Sequence, residues 1–235
     1  MEDSADFILY NIREVKDRIK LAAGRAGTDP GSITLMAVSK THPAEYIETA
    51  HRGGISDFGE SFAQEAKEKV DQVDLPVKWH FVGHLQKNKV RPVVERFDMI
   101  QSVDSMGLLA RIDKVARQLG KIMEVLLQVN LTGEESKYGL DPGDVKEILG
   151  RGETLENVKI QGLMLIPPYY DDPWKNRGNF AAMRELAQEI DRQGYANWSN
   201  RYLSMGMTDD FEVAISEGSN MIRVGRAIFG TRRRK

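Results

Sequence analysis

The chain has 235 residues, of which 41% are hydrophobic and 29% are charged, and its formal net charge is −2. These values are ordinary for a globular protein, and they exclude a general electrostatic attraction to nucleic acid or to an anionic membrane. The chain has no cysteine, which excludes disulfide bonds and thiolate chemistry. No apolar run approaches the roughly 18 residues of a membrane span, and the acidic start MEDSADFILY does not resemble a signal peptide. We therefore expect a cytoplasmic protein with no membrane or nucleic-acid partner, and we interpret the basic tail at 231–235 as a solvated end.

The first predicted element is a helix over residues 4–23. Ile8, Ile12, Val15 and Ile19 recur at intervals of four and three residues, which is the spacing of a single helix face. Because this helix precedes the first predicted strand, the alternation of helices and strands begins with an extra helix.

Eight strand segments then alternate with helical segments along the rest of the chain. Several of the strand segments are short apolar runs, which are typical of strands covered on both faces. The predicted strands cover residues 33–38, 56–60, 77–84, 98–103, 122–130, 158–166, 201–207 and 220–225. The predicted helices between them cover residues 43–54, 61–73, 86–97, 105–119, 141–150, 172–194 and 208–218.

This alternation predicts a barrel rather than an open sheet. Helical connections join parallel strands. Eight strand–helix repeats match a (β/α)8 barrel, whereas a doubly wound sheet usually has about five or six strands. No linker or low-complexity segment indicates a second domain. We therefore predict that residues 1–235 form a single (β/α)8 barrel with an extra N-terminal helix.

Lys40 stands at the end of the first strand, in the stretch LMAVSKTHP. Active sites of such barrels lie at the carboxyl ends of the strands. A lysine desolvated there loses proton affinity, and its neutral amine can form a Schiff base with a carbonyl group. The alternative is that Lys40 extends its amine into solvent or pairs with Glu60.

The ends of the last two strands carry features of a phosphate site. The stretches LSMG (203–206) and GSNMIRVGRAIFG (218–230) supply Ser204, Arg223 and several glycines, and they lead into a short final helix. Loops after strands seven and eight, with an extra helix, are the usual phosphate site of this architecture. The alternative is that the glycines only mark turns.

Closure of the barrel would join these two features. Strand one must pair with strand eight, so Lys40 and Arg223 become neighbours at one mouth of the barrel. A carbonyl at Lys40 and a phosphate near Gly225 would then be separated by roughly one small aromatic ring, which matches pyridoxal 5'-phosphate. Met164, Met205 and Met207, at strand ends, are candidates to line the ring.

Two other features could be functional sites by their residue types. His80 and His84 are four residues apart, but they lie on a strand and its loop, where helical zinc spacing does not apply, so no metal site is predicted. The loop PPYYDDPW (167–174) is interpreted as a rigid surface loop, with a lid or a partner contact as the alternative.

Six motifs together resemble the YggS/PROSC family of pyridoxal phosphate homeostasis proteins, over about residues 7–230. The motifs are AVSKTHP, FGESFAQE, WHFVGHLQKNK, SVDS, GLMLI and LSMGMTDDFEVAISEGSNMIRVGRAIFG. The resemblance implies a single barrel of the alanine racemase N-terminal-domain type. It also implies pyridoxal 5'-phosphate held by Lys40 as a Schiff base.

The resemblance also implies roles for other residues of the site. Ser204 and the backbone of Gly225 and Arg226 look like the phosphate cradle, and Arg223 looks like the partner of the pyridine nitrogen. The full set of expected cofactor-binding residues is Lys40, Ser204, Arg223, Gly225, Arg226, Met164, His80, Ser61, Met205 and Ser219. Three positions depart from the family pattern: Ser61 replaces a common asparagine, Thr208 a serine, and Asn220 a threonine.

These roles favour a carrier over a catalyst. An arginine donates a hydrogen bond and leaves the pyridine nitrogen unprotonated, which weakens the ring as an electron sink. Racemisation needs two bases, and the second base of the resembling racemases comes from a further domain, which we do not expect here. We therefore expect a monomer that stores or delivers pyridoxal 5'-phosphate, with apo-enzymes as recipients.

Two alternatives stay open. One is a low-efficiency racemase or lyase with His80 or Tyr138 as the second base. The other is an aldolase whose lysine reacts directly with a sugar phosphate.

Overall fold

The structure is a computed structural model, and it describes residues 2–133 and 138–231. In this part of the chain, eight parallel strands form a closed barrel in chain order. The strands are β1 (Thr34–Val38), β2 (Asp57–Glu60), β3 (Lys78–Phe81), β4 (Met99–Val103), β5 (Met123–Val129), β6 (Val158–Leu165), β7 (Trp198–Met207) and β8 (Met221–Val224). The α-helices are α1 (Glu2–Ala26), α2 (Ala44–Arg52), α3 (Ala63–Gln72), α4 (Val90–Arg96), α5 (Met106–Gln118), α6 (Pro142–Gly152), α7 (Arg177–Gln193), α8 (Phe211–Ser216) and α9 (Arg226–Phe229). The predicted (β/α)8 barrel with an extra N-terminal helix is confirmed.

The predicted domain limits extend beyond the described residues. Residues 134–137 and most of the basic tail, 232–235, lie outside them. The prediction of one domain over 1–235 therefore stays a prediction. Within the described ranges, none of the helices has the length and apolar character needed to cross a membrane.

The barrel closes where β1 pairs with β8. Met36 pairs with Arg223 and Ala37 with Val224 in a parallel register. This register puts the segment that follows β1 beside the end of β8, as the sequence predicts. Lys40 and Arg223 therefore belong to the same end of the barrel.

Helix α1 packs beside this seam. Its predicted apolar face is buried through Ile8, Ile12, Val15 and Ile19. The helix contacts α2, α8 and α9, which follow β1, β7 and β8. Burial of this face supplies the hydrophobic stabilisation that an isolated amphipathic helix lacks.

Several predicted boundaries were wrong by three or more residues: α4 begins at Val90 rather than at residue 86, α8 at Phe211 rather than at residue 208, and β7 at Trp198 rather than at residue 201. Strand β3 ends at Phe81 rather than at residue 84. A Cβ atom on Gly83 would lie 2.1 Å from the carbonyl oxygen of Ser61, so the chain has already left the sheet and packs on the loop after β2. The predicted helix at 172–194 is divided into a 3-10 helix (Pro173–Asn176) and α7, because Asp172 caps the shorter helix through the N–H of Trp174.

Candidate functional site

A cavity of about 460 Å³ opens at the carboxyl ends of the strands. Half of the ten residues expected from the sequence line its wall: Lys40, Ser61, Arg223, Gly225 and Arg226. They lie on β8 or directly after β1, β2 and β8. The seam between the first and last strands therefore brings together residues from opposite ends of the sequence.

Lys40 enters the wall through a strained turn. Thr41 has a φ of 67°, and no other non-glycine residue in the described ranges has a positive φ. A β-branched residue rarely adopts this conformation, and such strain concentrates at functional sites. The N–H of Thr41 donates to Glu65 Oε1 at 2.5 Å, so helix α3 holds the turn. The Lys40 side chain is half-buried.

A buried ionic cluster holds Ser39, the residue that precedes Lys40. The Lys69 ammonium donates to the Ser39 carbonyl oxygen at 2.7 Å and to Glu60 Oε1 at 2.7 Å. It also pairs with Glu65 at 2.7 Å, and the Ser39 hydroxyl donates to Glu60 Oε1 at 2.7 Å. The residues on both sides of Lys40 are therefore tied to α3, and the Glu60 carboxylate has Lys69 as its ion-pair partner.

The Glu60 carboxyl carries a desolvation cost. Burial raises the pKa of Glu60 above its ordinary value, and the nearby Lys69 ammonium only partly opposes this shift. Its second oxygen, Oε2, is buried and has no hydrogen-bond partner among the described residues. A buried carboxyl oxygen without a partner lowers the stability of the fold. Such groups are more common at functional sites than elsewhere in proteins.

Arg223 presents a fixed cation to the cavity. It lies on β8 and is buried, and its guanidinium donates to the Ser204 carbonyl oxygen and the Leu165 carbonyl oxygen at 2.7 Å each. Burial lowers the pKa of Arg223 to about 10, and the negative charge of Asp210 partly opposes this shift. The side chain therefore stays charged near neutral pH, and it can only donate hydrogen bonds.

The wall near the ends of β7 and β8 offers groups that suit an anion. Gly206 has a φ of 92°, and a Cβ atom there would lie 2.6 Å from Ala214 Cβ. This tight turn lets Thr208 line the cavity, where its hydroxyl accepts a long hydrogen bond, 3.4 Å, from the Ala227 N–H. Arg226 lines the same region and pairs with Asp209.

The charge of the wall also favours a phosphate. Among the described residues of the wall, Lys40, Arg223 and Arg226 are cationic, and Asp209 is the one carboxylate. Cationic side chains and a hydroxyl group are the usual partners of phosphate oxygens.

The other five expected residues lie behind the wall, and they are not among its described members: Ser204, His80, Met164, Met205 and Ser219. All five are buried. The sequence places four of them on the correct strands and Ser219 in the turn before β8, but it does not show which are shielded by larger neighbours. Their assignment as cofactor-binding residues stays a prediction.

Ser204 and His80 belong to a polar chain in the barrel interior. The Ser204 hydroxyl lies 2.7 Å from Arg223 and donates to Gln101 at 2.7 Å. The His80 ring lies between Gln101 and Asp57, at 3.1 Å and 3.0 Å. Both side chains are thus engaged below the cavity floor.

The remaining three residues have packing or backbone roles. Met164 packs with Met99 and Leu126 inside the barrel. Met205 belongs to the main core that the helices cover. The Ser219 hydroxyl lies 2.7 Å from the Met205 carbonyl oxygen and ties β7 to the turn before β8.

Several wall residues were missed from the sequence. Thr208 is one of them, although its position directly after the SMGM motif is a usable signal. His42 also lines the wall, and its ring lies 5.5 Å from the Tyr46 ring and 5.2 Å from the Phe229 ring. Lys69, which supports the Lys40 segment without lining the wall, gave no signal, because a lysine on an amphipathic helix is typical of a solvated face.

Other candidates have different surroundings. Asn220 keeps the polar role expected of its position, because its side chain bonds the Leu203 N–H and the Arg201 carbonyl oxygen. Tyr138 is exposed, and its ring stacks on the His84 ring at 3.7 Å. In residues 2–133 and 138–231 there is no group of three His, Cys, Asp or Glu side chains that could hold a metal ion.

The fold and the cavity define a class of protein. A family model, "Alanine racemase, N-terminal domain", matches residues 10–233. The molecule is therefore a barrel of the alanine racemase N-terminal-domain type.

Relatives narrow this class. The chain is 41% identical over 226 residues to the pyridoxal phosphate homeostasis protein of Pseudomonas aeruginosa, with 96% of each chain covered. A structure of PipY from Synechococcus elongatus with PLP bound has a TM-score of 0.81 and 39% identity, covering 92% of this chain and 100% of that one. An unknown protein from Bifidobacterium adolescentis has a TM-score of 0.92 and 36% identity, covering 97% of both. The chain belongs to the pyridoxal phosphate homeostasis protein family, and the resemblance drawn from its motifs is confirmed.

Proposed function

We propose that this protein binds pyridoxal 5'-phosphate through a Schiff base on Lys40 and stores or delivers it within the cytoplasm. The observation that carries the proposal is that Lys40 and Arg223 line one cavity at the barrel seam. The first supplies an amine and the second a charged hydrogen-bond donor, which are the groups that the two ends of the pyridine ring require.

The donor set of the cavity fits the cofactor. When bound, pyridoxal 5'-phosphate supplies an electrophilic aldehyde. The Lys40 amine would hold that aldehyde, and Arg223 would donate to the ring nitrogen. Thr208, together with the backbone of Gly225 and Arg226, would hold the phosphate, and Ser61 would line the remaining wall.

The relatives support the same ligand. The Pseudomonas aeruginosa relative is a pyridoxal phosphate homeostasis protein, and PipY has been solved with PLP bound. Both relatives cover nearly the whole of this chain, so the same barrel is available to hold the same group.

The position of Arg223 supports storage over catalysis. Because the guanidinium stays charged near neutral pH, it donates to the ring nitrogen and does not protonate it. The ring is then a weak electron sink. His80, expected as a second base in the catalytic alternative, is buried between Gln101 and Asp57.

One observation favours the catalytic alternative. His42 lines the same cavity as Lys40, and a second base on the cavity wall is what a racemase or lyase requires. Steady turnover of an amino acid by the pure, loaded protein, abolished by His42→Gln, would establish this activity.

The test of the proposal is covalent loading. Titration of the cofactor-free protein with pyridoxal 5'-phosphate should give a visible absorption band, and borohydride reduction should label the peptide that contains Lys40. Lys40→Ala should abolish both signals, and Lys78→Ala, which removes an exposed lysine at the start of β3, should change neither. A colourless wild type, or a label on another lysine, contradicts the proposal.

Delivery is tested separately from binding. Loaded protein is mixed with an apo-enzyme that depends on pyridoxal 5'-phosphate, and the rate of activation is compared with that from the same concentration of free cofactor. Faster activation by the loaded protein supports delivery, and slower activation supports storage. The prediction that the protein is a monomer is checked by light scattering.

A further inference from the structure

A continuous hydrogen-bonded chain runs through the barrel interior from Arg223 to Asp57. The Arg223 guanidinium lies 2.7 Å from Ser204 Oγ, and Ser204 Oγ lies 2.7 Å from Gln101 Oε1. Gln101 Nε2 lies 3.1 Å from His80 Nδ1, and His80 Nε2 lies 3.0 Å from Asp57 Oδ1. The three central members are buried, and besides its two neighbours Gln101 Nε2 contacts, among the described residues, only the weak acceptors Met221 Sδ at 3.1 Å and Met99 Sδ at 3.8 Å.

The cation at one end fixes the direction of every bond. Arg223 can only donate, so Ser204 Oγ accepts from it and gives its own proton to Gln101 Oε1. Gln101 then presents its NH2 group to His80 Nδ1, which must be the unprotonated nitrogen. His80 therefore carries its proton on Nε2 and donates it to Asp57. Aligned bonds of this kind polarise one another in a low-dielectric interior.

The chain joins the two ends of the barrel. Arg223 lines the cavity at the carboxyl ends of the strands. Asp57 begins β2 and lines a second cavity, of about 430 Å³, with Thr34 and Gly54 at the opposite end. Burial raises the pKa of Asp57, but hydrogen bonds from His80 and Ser56 outweigh it and hold the pKa below its ordinary value.

We propose that Ser204, Gln101, His80 and Asp57 form a proton-ordered chain that orients the Arg223 guanidinium at the cofactor site. These four are positioning residues, because each acts on the ligand only through the next. The proposal rests on the proposed function, since it is the pyridine nitrogen that the oriented guanidinium would meet. It also gives His80 and Ser204, which lie behind the wall, a role in the site.

The first test uses the cofactor-free protein, so it does not depend on the proposed function. Nitrogen-15 NMR of the wild type should show His80 as a single neutral tautomer with its proton on Nε2. The guanidinium NH signals of Arg223 should be resolved, because the group is held. In Gln101→Met the Arg223 signals should broaden or average, and in Asp57→Ala the His80 ring should populate both tautomers. If the wild-type protein shows His80 with its proton on Nδ1, the proposed order of donors and acceptors is wrong and the proposal fails.

The second test uses the loaded protein. Gln101→Met removes two hydrogen bonds between uncharged groups, and the loss of either corresponds to roughly a 2- to 10-fold change in an equilibrium constant. Gln101→Met should therefore weaken cofactor binding by a factor in this range and shift the visible band, and Asp57→Ala should shift it in the same direction. Gln161→Met is the matched control, since Gln161 is a barely exposed strand glutamine that donates to Glu124, and neither residue belongs to the hydrogen-bonded series.

The outcomes separate the two proposals. If Gln101→Met and Asp57→Ala alter the NMR signals but keep the wild-type band and affinity, the chain does not act on the cofactor site, and the inference fails. If the wild type itself does not bind the cofactor, the proposed function fails, and the NMR signals of Arg223 in Gln101→Met still decide whether the chain orients the guanidinium. Thermal unfolding identifies a variant that has lost its fold, and the wild-type His80 tautomer remains decisive in that case.

Discussion

Lys69 and Glu60 form a buried ion pair at 2.7 Å between helix α3 and the barrel, and the same Lys69 ammonium bonds the carbonyl oxygen of the residue before Lys40. A buried pair of this kind is weak evidence for net stabilisation, but the loss of one partner leaves an uncompensated charge. The pair therefore couples the position of α3 to the segment that carries the reactive amine.

Removal of Lys69 should be costly. We expect Lys69→Met to lower the free energy of unfolding by about 3 kcal/mol, because Glu60 is left buried without its cation. Adding Glu60→Gln to this variant should restore part of the loss, since the uncompensated charge is then gone. Urea unfolding measures both. Lys67→Met, at an exposed position of the same helix, is the control, and a loss no larger than in that control contradicts the prediction.

Glu217 should make stability depend on pH. Burial raises its pKa, but hydrogen bonds from Arg177 and Arg184 outweigh this, and the pKa lies below its ordinary value of 4.5. A carboxyl group whose pKa is lowered by folding stabilises the folded state at pH values above its ordinary pKa. This contribution is lost as the pH falls through the pKa of the folded state. We expect Glu217→Gln to cost about 1.5–3 kcal/mol at pH 7.

The pH series provides the check on Glu217. The difference between wild type and Glu217→Gln in denaturant unfolding should shrink progressively below pH 4.5. Glu185→Gln, at a mostly exposed carboxylate, should show little difference at any pH. A cost of Glu217→Gln that stays constant from pH 7 to strongly acidic conditions would show that the carboxylate charge is not the cause.

Gly225 should be required for ligand binding rather than for folding. A Cβ atom there would lie 3.1 Å from the Val38 carbonyl oxygen, on the wall of the cavity. Its φ of −114° suits any residue, so backbone strain is not involved. We expect Gly225→Ala to weaken pyridoxal 5'-phosphate binding by about tenfold or more with a change in stability of about 1 kcal/mol.

The control for Gly225→Ala is a glycine with open space around it. Gly143, in the first turn of α6, has no atom within 4 Å of the position of an added Cβ. Gly143→Ala should leave absorption titrations unchanged. Equal affinity of Gly225→Ala and wild type would mean that the ligand does not approach the backbone at this position.

Ser61 offers a gain of function. It lines the cavity, at a position where the resemblance drawn from the motifs implies asparagine. Ser61→Asn adds a carboxamide with two donors and an acceptor, and one new hydrogen bond corresponds to roughly a 2- to 10-fold gain in affinity. Absorption titration measures it, with Ser61→Ala as the reference. Weaker binding in Ser61→Asn would show that the smaller side chain is matched to a different arrangement of this wall.

Much of the fold follows from the order of apolar and polar residues. The eight strands and the helix that precedes them were predictable, because the apolar period changes at each element and glycine or proline marks many of the junctions. Lys40 and Arg223 were predictable as neighbours, because closure of a parallel barrel leaves β1 and β8 to pair.

The depth of each residue was not predictable in the same way. Ser204 and Gly225 both lie near strand ends, but Ser204 is buried and bonds the Arg223 side chain, whereas Gly225 lines the cavity. Gln101 and Lys69 became visible only in three dimensions, because their partners are distant in the sequence and neither carries a motif.

The seam between β1 and β8 determines when the site can form, and it ties ligand binding to the stability of this one pair of strands. Because the cavity takes its amine from the first strand and its guanidinium from the last, a nascent chain cannot form the site until β8 has been synthesised. A ligand that bridges the two strands is expected to slow amide hydrogen exchange at Met36 and Val224 more than at β4 or β5. Slower exchange confined to these two strands would show that the ligand ties the first strand of the barrel to the last.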